Sequence, residues 1–499
     1  MIGMSYRESN SDDSRISSSG ADILQSYEPN FRYISYLKDD APKTVSNAPS
    51  KSASVAYFGR LTYNYDSRYF FQFNIRRDAY DSSKLSKANR WGTFPSVSAG
   101  WTISNEKFFK DIVSTDAVSF LKLRASWGTN GNISVLRNYP YTAAIAKGSS
   151  WYQYNVDQIG SVYGSHPDKL ANPSLTWETL KQVDLGLDAR FLGNRLSFTA
   201  AYYDKRTKDL LFSVSVPSEL GFTSVVTNGG TVLNRGLELE LGWRDRINDF
   251  AYSISGNLTT IKNKVLSLAE GATPTYKTDA SSTNYKIRTA FEEGHSIWYL
   301  NGFVYEGLDA DGNPKYKDLN GDGEIGTDDM TDIGRTTPSF TYGINITAAW
   351  KGFDLMINGY GQGGNKILPV LHRTGYKNGL KYYLDEARTP ENPGGSIPHP
   401  EKIYSPDEPF WSSTGNLFSG NFFRIKQLQL GYTIPANITK KAAISNLRLY
   451  VSLDDFFTIT SYPGLDPETA STNNFSGAGL DWGSYPTMKK LILGVNVTF

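Results

Sequence analysis

Apolar and polar residues alternate one by one along the final stretch of the chain. Leu491, Leu493, Val495, Val497 and Phe499 share one face; Gly494, Asn496 and Thr498 share the other. A period of two predicts a β-strand with one oily and one small or polar face. The pattern recurs many times. Tyr69, Phe71, Phe73 and Ile75 oppose Gln72, Asn74 and Arg76. Val97, Ala99, Trp101 and Ile103 oppose Ser96, Ser98, Gly100 and Thr102, and Leu121, Leu123, Ala125 and Trp127 oppose Lys122, Arg124 and Ser126. The same reading predicts strands over 182–191, 196–202, 237–243, 340–350 and 447–454. Aromatic residues end many of the apolar faces: Trp101, Trp127, Phe191, Trp243, Trp350 and Phe499. Long strands with one oily face and rings at headgroup depth predict an antiparallel transmembrane β-barrel. A β-sandwich also alternates, so the competing reading is a secreted, soluble β-rich protein that binds or degrades glycans.

Connections alternate in length. Tight turns are expected at Asp66-Ser-Arg68, Gly193-Asn194, Arg246-Ile-Asn248 and Lys351-Gly352, with two longer ones at Asn105 to Ser119 and Pro435 to Ser445. Between them lie long segments: Ser9 to Lys51, Ala79 to Thr93, Thr129 to Glu178, Arg206 to Leu233, Lys262 to Thr337, Gln362 to Ser419 and Phe457 to Met488. Short turns on the periplasmic side and long loops outside are the rule for outer-membrane barrels. The count comes to about 14 strands, the first partly cut at Met1, with Phe499 on the periplasmic side.

Composition narrows the picture. The formal net charge is +1, which gives no footprint for a nucleic-acid partner. Tyr (32) and Gly (45) are abundant, as strands and aromatic girdles require, and Cys is absent, as suits export through an oxidising periplasm without disulfides. Mean hydropathy is −0.41. That value does not argue against a barrel, because only alternate residues face lipid. No stretch approaches the roughly 20 apolar residues of a membrane helix. Met1-Ile-Gly-Met-Ser-Tyr-Arg7 lacks the basic and apolar regions of a signal peptide, so the sequence is expected to be incomplete.

Several stretches resemble the SusC/RagA-like TonB-dependent transporters of Bacteroidetes outer membranes. They are Tyr57-Phe-Gly-Arg-Leu-Thr-Tyr-Asn-Tyr65, Arg76-Arg-Asp78, Arg90-Trp-Gly-Thr-Phe-Pro-Ser-Val-Ser-Ala-Gly-Trp101, Leu121-Lys-Leu-Arg-Ala-Ser-Trp-Gly128, Gly131-Asn132 and Asn172-Pro-Ser-Leu-Thr-Trp-Glu-Thr179. Asp184-Leu-Gly-Leu-Asp188, Tyr202-Tyr-Asp-Lys205, Asn234-Arg-Gly-Leu-Glu238, Phe423-Arg-Ile-Lys-Gln-Leu-Gln-Leu-Gly-Tyr432 and Tyr462-Pro-Gly-Leu-Asp-Pro-Glu468 follow in the family's order. The resemblance implies a 22-stranded barrel with an amino-terminal plug and a segment that contacts TonB-ExbB-ExbD. It also implies a SusD-like lipoprotein on the outer loops and TonB-driven import of oligosaccharides or peptides. Residues 1–499 would then be a partial barrel domain, its last 14 or so strands, with the signal, plug and first strands missing.

The sharpest local motif is Asp318-Leu-Asn-Gly-Asp-Gly-Glu-Ile-Gly-Thr-Asp-Asp329. Asp318, Asn320 and Asp322 at loop positions one, three and five, the Glu324 carbonyl and Asp329 at position twelve make a calcium-loop pattern, with Gly323 at the sharp turn. The bland alternative is an Asn/Asp/Gly turn. The loops carry many rings. Trp151, Tyr152 and Trp411 are the candidates for stacking on substrate, against the alternative that loop aromatics pack on one another. His166, His295, His372 and His399 are the only histidines, and none lies at metal-pair spacing. No nucleophile constellation stands out, so no enzyme is expected and no cofactor is required; a calcium ion in an outer loop is the one candidate.

Overall fold

The computed structural model describes residues 1–18, 43–136, 139–143, 145–153, 161–167, 169–222, 224–269, 271–278, 287–370, 381–403, 405, 408–471 and 478–499. Fourteen strands pair in one antiparallel sheet, in simple sequence order. They are β1 (Ile2–Ser18), β2 (Lys43–Tyr65), β3 (Tyr69–Tyr80), β4 (Trp91–Thr102), β5 (Val118–Asn132), β6 (Glu178–Phe191) and β7 (Leu196–Lys208). Then come β8 (Thr231–Ile247), β9 (Phe250–Thr260), β10 (Phe340–Trp350), β11 (Phe353–Gly363), β12 (Phe422–Ile434), β13 (Asn446–Thr460) and β14 (Lys490–Thr498). A further short strand, Lys262–Ser267, pairs with the outer part of β8. No described helix is long and apolar enough to cross a membrane.

The register aligns the apolar positions into continuous rows. Phe71, Ala99, Ala125, Leu185, Tyr202 and Leu237 face one another across β3 to β8. Ile254, Ile346, Ile357, Leu428, Leu453 and Leu491 do the same across β9 to β14. This face is not covered: Leu185 is 52 % exposed and Leu493 77 %. A sandwich would bury such rows against a second sheet; a barrel wall leaves them to lipid.

The opposite face is tied together by side chains. Arg124 meets Asp188 at 3.2 Å, Thr199 donates to Asp188, and Ser126 donates to Asp184. Arg60 reaches Asn74, which donates to Ser96. Each such pair contributes about 0.2–1 kcal/mol, and together they hold neighbouring strands in one register.

One strand changes phase. In β12, Phe423 and Ile425 are odd and apolar, whereas Leu428 and Leu430 are even and apolar. A bulge between Ile425 and Gln427 reconciles them. The extra residue, Lys426, lets both halves of the strand show the same face.

Three of the four tight turns lie where the spacing placed them; the fourth is Asn248-Asp249, because β8 runs on through Arg246 and Ile247. Lys351 and Gly352 both have positive φ (45° and 88°), the two-residue hairpin geometry that follows the strand twist. The segment Ser9 to Lys51 departs from expectation: β1 and β2 stay paired out to Ser18 and Lys43. Most residues there are polar and exposed, with Ile16 and Val45 the large apolar exceptions, so backbone pairing continues with no alternation to announce it. Likewise the segment from Arg206 to Leu233 contains a hairpin, Leu211–Ser215 with Ser224–Asn228.

Candidate functional site

The outer connections do not hang free; they fold on one another. The β9–β10, β11–β12 and β13–β14 connections share one apolar core. Ile287, Leu300 and Ile333 come from the first, Leu368 and Val370 from the second, and Leu480 from the third. Burying each of these side chains contributes about 1.5–3 kcal/mol relative to exposure, which offsets the entropy of ordering long loops. Backbone seals the junctions. Leu368 and Pro369 pair in parallel with Leu480 and Asp481. Phe303 exchanges two backbone hydrogen bonds with Ser412 and Thr414, each 3.0 Å.

A second core gathers Tyr383, Ala387, Ile397, Ile403, Phe410 and Trp411. Its phenols are spent on packing. Tyr316 donates to Glu408 (3.0 Å) and Tyr383 to Asn416 (2.5 Å). Burial, with Glu408 beside it, raises the Tyr316 phenol well above its ordinary range, and burial pushes Tyr305 up to about 12.

The strongest tie is ionic. Arg424, on β12, is 3 % exposed. Its guanidinium reaches Asp466 (2.6 Å) and Glu468 (2.5 Å), and its Nε donates to Thr458 (3.0 Å). Asp466 also accepts the N–H groups of Glu468 and Thr487. Burial alone would raise the Asp466 carboxyl; the Thr487 N–H and the Arg424 guanidinium outweigh it and hold the pKa below its ordinary value. Lys426, the bulge residue, adds contacts to Asp455 (3.0 Å) and Glu468 (3.6 Å). Tyr462 donates to Asp481 (2.5 Å). Two stretches far apart in sequence, Phe423 to Tyr432 and Tyr462 to Glu468, thus form one clamp at the outer end of the wall. Sequence reading singled out both stretches without joining them; only the signs of Arg424, Asp466 and Glu468 hinted at the pairing.

A smaller loop body stands over β3 to β8, with Leu85, Ile133, Leu136, Leu175 and Leu211 at its centre. Trp177 packs edge-on against Phe94 at 5.4 Å and donates to the Arg90 carbonyl. A Cβ on Gly131 would collide with both rings, so that position needs glycine for the loop to close.

The candidate stacking residues fare differently. Trp411 is 7 % exposed, donates its indole N–H to Ile403 and meets Tyr383 and Phe410 edge-on at 5.3 and 5.4 Å. Trp411 is thus enclosed within this core, the packing role that is the alternative to stacking on substrate. The backbone of Trp151 and Tyr152 lies in the strand Ile145–Gln153, paired with Ser161–Pro167; their side chains lie outside the described residues.

The 318–329 loop is a tight, self-bonded turn. Asp318 accepts from the N–H groups of Gly321 and Gly323, Asn320 from Asp322, and Asp322 from Glu324. Asp329 accepts from Leu319, Asn320 and Gly326. These bonds, from Gly326 and Leu319 foremost, hold its carboxyl below the ordinary range. Gly321 and Gly323 both have positive φ. Among the described residues no group of three His, Asp or Glu side chains is drawn together as a metal cage.

A one-sheet wall with an oily outer face, a cross-tied polar face, tight turns at one end and packed loops at the other is an outer-membrane β-barrel wall. The chain belongs to the TonB-dependent receptor family: residues 2–365 match the family described as TonB dependent receptor-like, beta-barrel. It is 34 % identical over 472 residues to TonB-dependent receptor P3 of Formosa agariphila, covering 89 % of this chain and 45 % of that protein. It is 28 % identical to TonB-dependent receptor SusC of Bacteroides thetaiotaomicron, covering 90 % and 44 %. Among solved structures it resembles the RagAB peptide importer in the open-open state, with TM-score 0.80, 25 % identity, and coverage of 100 % of this chain and 52 % of that one. The closed-closed state gives 0.76, 26 %, 100 % and 53 %. The chain spans about half the length of the curated relatives it matches. It is an outer-membrane protein of the SusC/RagA-like kind, in a family of receptors and transporters rather than enzymes.

Proposed function

We propose that this chain supplies fourteen strands of the wall, and the outer loop bodies, of a TonB-dependent importer of oligosaccharides or peptides. Residues 1–499 act as one partial barrel domain. The plug, the segment that contacts TonB-ExbB-ExbD and the remaining strands come from outside this sequence. A SusD-like surface lipoprotein sits on the outer loops, substrate is enclosed between it and the barrel, and plug displacement opens the passage. The observation that carries this reading is the fusion of three outer connections into one packed body clamped to the wall by Arg424. Such a body offers a fixed seat to a surface partner, where loose loops would have to be ordered on binding. The similarity to SusC and to a peptide importer supports the substrate classes named.

The test is made in the native host. A tag on this chain should bring down a SusD-like lipoprotein from the outer-membrane fraction, and disrupting the gene should abolish uptake of a labelled oligosaccharide or peptide. Recovery of the chain as a detergent-free secreted protein with uptake intact would overturn the proposal.

The same reading places a calcium ion on the 318–329 loop. The donor set supports it: Asp318, Asn320, Asp322 and Asp329 offer hard oxygens, and a carboxylate oxygen that accepts one N–H keeps a second lone pair. The ion would fix an outer loop and takes no part in any bond-making step.

A further inference from the structure

The wall meets the periplasm mostly through tight turns, but the β4–β5 connection is long enough to fold. It contains one short helix, α1 (Lys107–Ile112). Six residues do not hold a helix by themselves in water, so something outside it must position it. Glu106, the residue before it, does so. Its carboxylate accepts the Trp101 indole N–H at 3.0 Å and pairs with Arg68 at 3.1 Å.

The side of the wall matters. Tyr69 and Trp101 belong to the apolar, lipid-facing set, face each other across β3 and β4, and stack with ring centroids 6.5 Å apart. They form part of the periplasmic girdle. A helix tethered to the polar end of Trp101 is therefore hung beneath the lipid face of the wall, at headgroup depth.

On that helix, Phe108 and Ile112 are spaced i, i+4 and share one face. They are 51 % and 81 % exposed. The described residues leave about half of Phe108 and most of Ile112 uncovered, although the chain buries comparable side chains in its loops. Lys107 and Lys110 lie on the other side of the same helix. An exposed apolar face beside lysines, continuous with a lipid-facing aromatic belt, is the chemistry of a helix lying in a membrane interface. The other connection that folds a turn, Pro435 to Ser445, repeats the combination, with Ile438 59 % exposed next to Lys440.

We propose that the 103–117 connection is an interfacial anchor: Phe108 and Ile112 enter the periplasmic leaflet of the outer membrane, and Lys107 and Lys110 engage lipid phosphates. It requires the membrane placement of the wall and is independent of the import reading. The anchor fixes the height of the barrel in the bilayer on the side where tight turns give little purchase.

The chain has no cysteine, so single cysteines can be introduced without background. The full chain, carrying a nitroxide at Phe108→Cys or Ile112→Cys, is reconstituted in phosphatidylethanolamine and phosphatidylglycerol vesicles. Leu185→Cys serves as the lipid reference and Asn194→Cys, in a tight turn, as the water reference. Relaxation by oxygen and by a water-soluble nickel chelate is measured for each. The expected result is an oxygen-to-nickel ratio at 108 and 112 several-fold above that at 194 and close to that at 185, with Lys107→Cys on the water side. Ratios at 108 and 112 equal to that at 194 would overturn the proposal. So would shielding from both reagents, which would mean that protein covers the face. Retained heat-modifiable migration shows that each variant is folded.

Discussion

Arg448 and Asp354 sit on strands that are not neighbours, yet their side chains meet, Nε to Oδ1 at 2.8 Å and Nη2 to Oδ2 at 2.5 Å. The strand between them is β12, and the residue passed over is Gly431. A Cβ there would lie 2.5 Å from both Arg448 and Asp354. Arg124 also lies over a glycine, Gly186, but reaches Asp188 on that same adjacent strand. Gly431 is thus the space in which a three-strand ion pair lies flat. Gly431→Ala is expected to cost about 1–3 kcal/mol through overpacking. In an Arg448→Ala background the cost should shrink, because the obstructed side chain is gone. A double-mutant cycle on denaturant midpoints, followed by heat-modifiable migration, measures the coupling.

The two faces of the wall should tolerate charge unequally. Leu185→Lys puts an ammonium on the lipid face near the middle of β6 and should cost about 2–4 kcal/mol. Ser126→Lys lies on the polar face, across from Asp184, and should change stability little. Refolding yields into vesicles, compared for the two variants, check this; equal losses would contradict the assignment of faces.

Removing Arg424 leaves Asp466 buried with its charge uncompensated, at a cost of about 3–5 kcal/mol. The clamp lies at the loops, so the damage should be local. Arg424→Ala is expected to open the 461–489 connection to protease while heat-modifiable migration of the wall persists. Arg424→Lys should recover only part of the protection, since an ammonium cannot bridge Asp466 and Glu468 with a planar fork.

The same clamp should respond to acid. The Asp466 pKa is lowered on folding, so its contribution is fully present above the unfolded carboxylate value of about 3.9. It is lost as pH falls through the lower folded value. Protease resistance of the 461–489 connection should therefore hold from neutral pH down to mild acidity and fail only in strong acid. Asp466→Asn should flatten that dependence while lowering resistance at neutral pH.

Calcium is tested by titration calorimetry of the metal-free chain. Heat of binding is expected for the wild type and is expected to vanish with Asp322→Ala. Absence of heat in the wild type would leave the 318–329 segment as an Asn/Asp/Gly turn and nothing more.

Trp411→Ala should open a cavity in the loop core and destabilise it by about 3–5 kcal/mol. Trp411→Phe should retain most of the packing while giving up the hydrogen bond to Ile403. If Trp411→Phe instead weakened substrate uptake with the loop core intact, its assignment as a packing residue would be wrong.

What could be learned from the sequence follows the range of the interactions involved. Alternation, as in Leu491 to Phe499, is written into adjacent residues, because each strand residue points opposite to its neighbour whatever the rest of the chain does. The tight turn at Lys351-Gly352 is equally local, and so are the strands, their two faces and the short and long ends. Even the phase slip in β12 is visible as Ile425 followed by Leu428, though only pairing shows that a bulge absorbs it. Nothing local records that Leu368 lies beside Leu480, or that Arg424 closes on Asp466, because loop apolar residues have no period and choose partners by burial alone. That is why the sequence does not tell that Trp411 lies enclosed in a loop core, nor that Glu106 ties the helix of Phe108 and Ile112 to Trp101. Local pattern decided where the chain crosses the membrane; only the tertiary structure decided what stands at either end of the crossing.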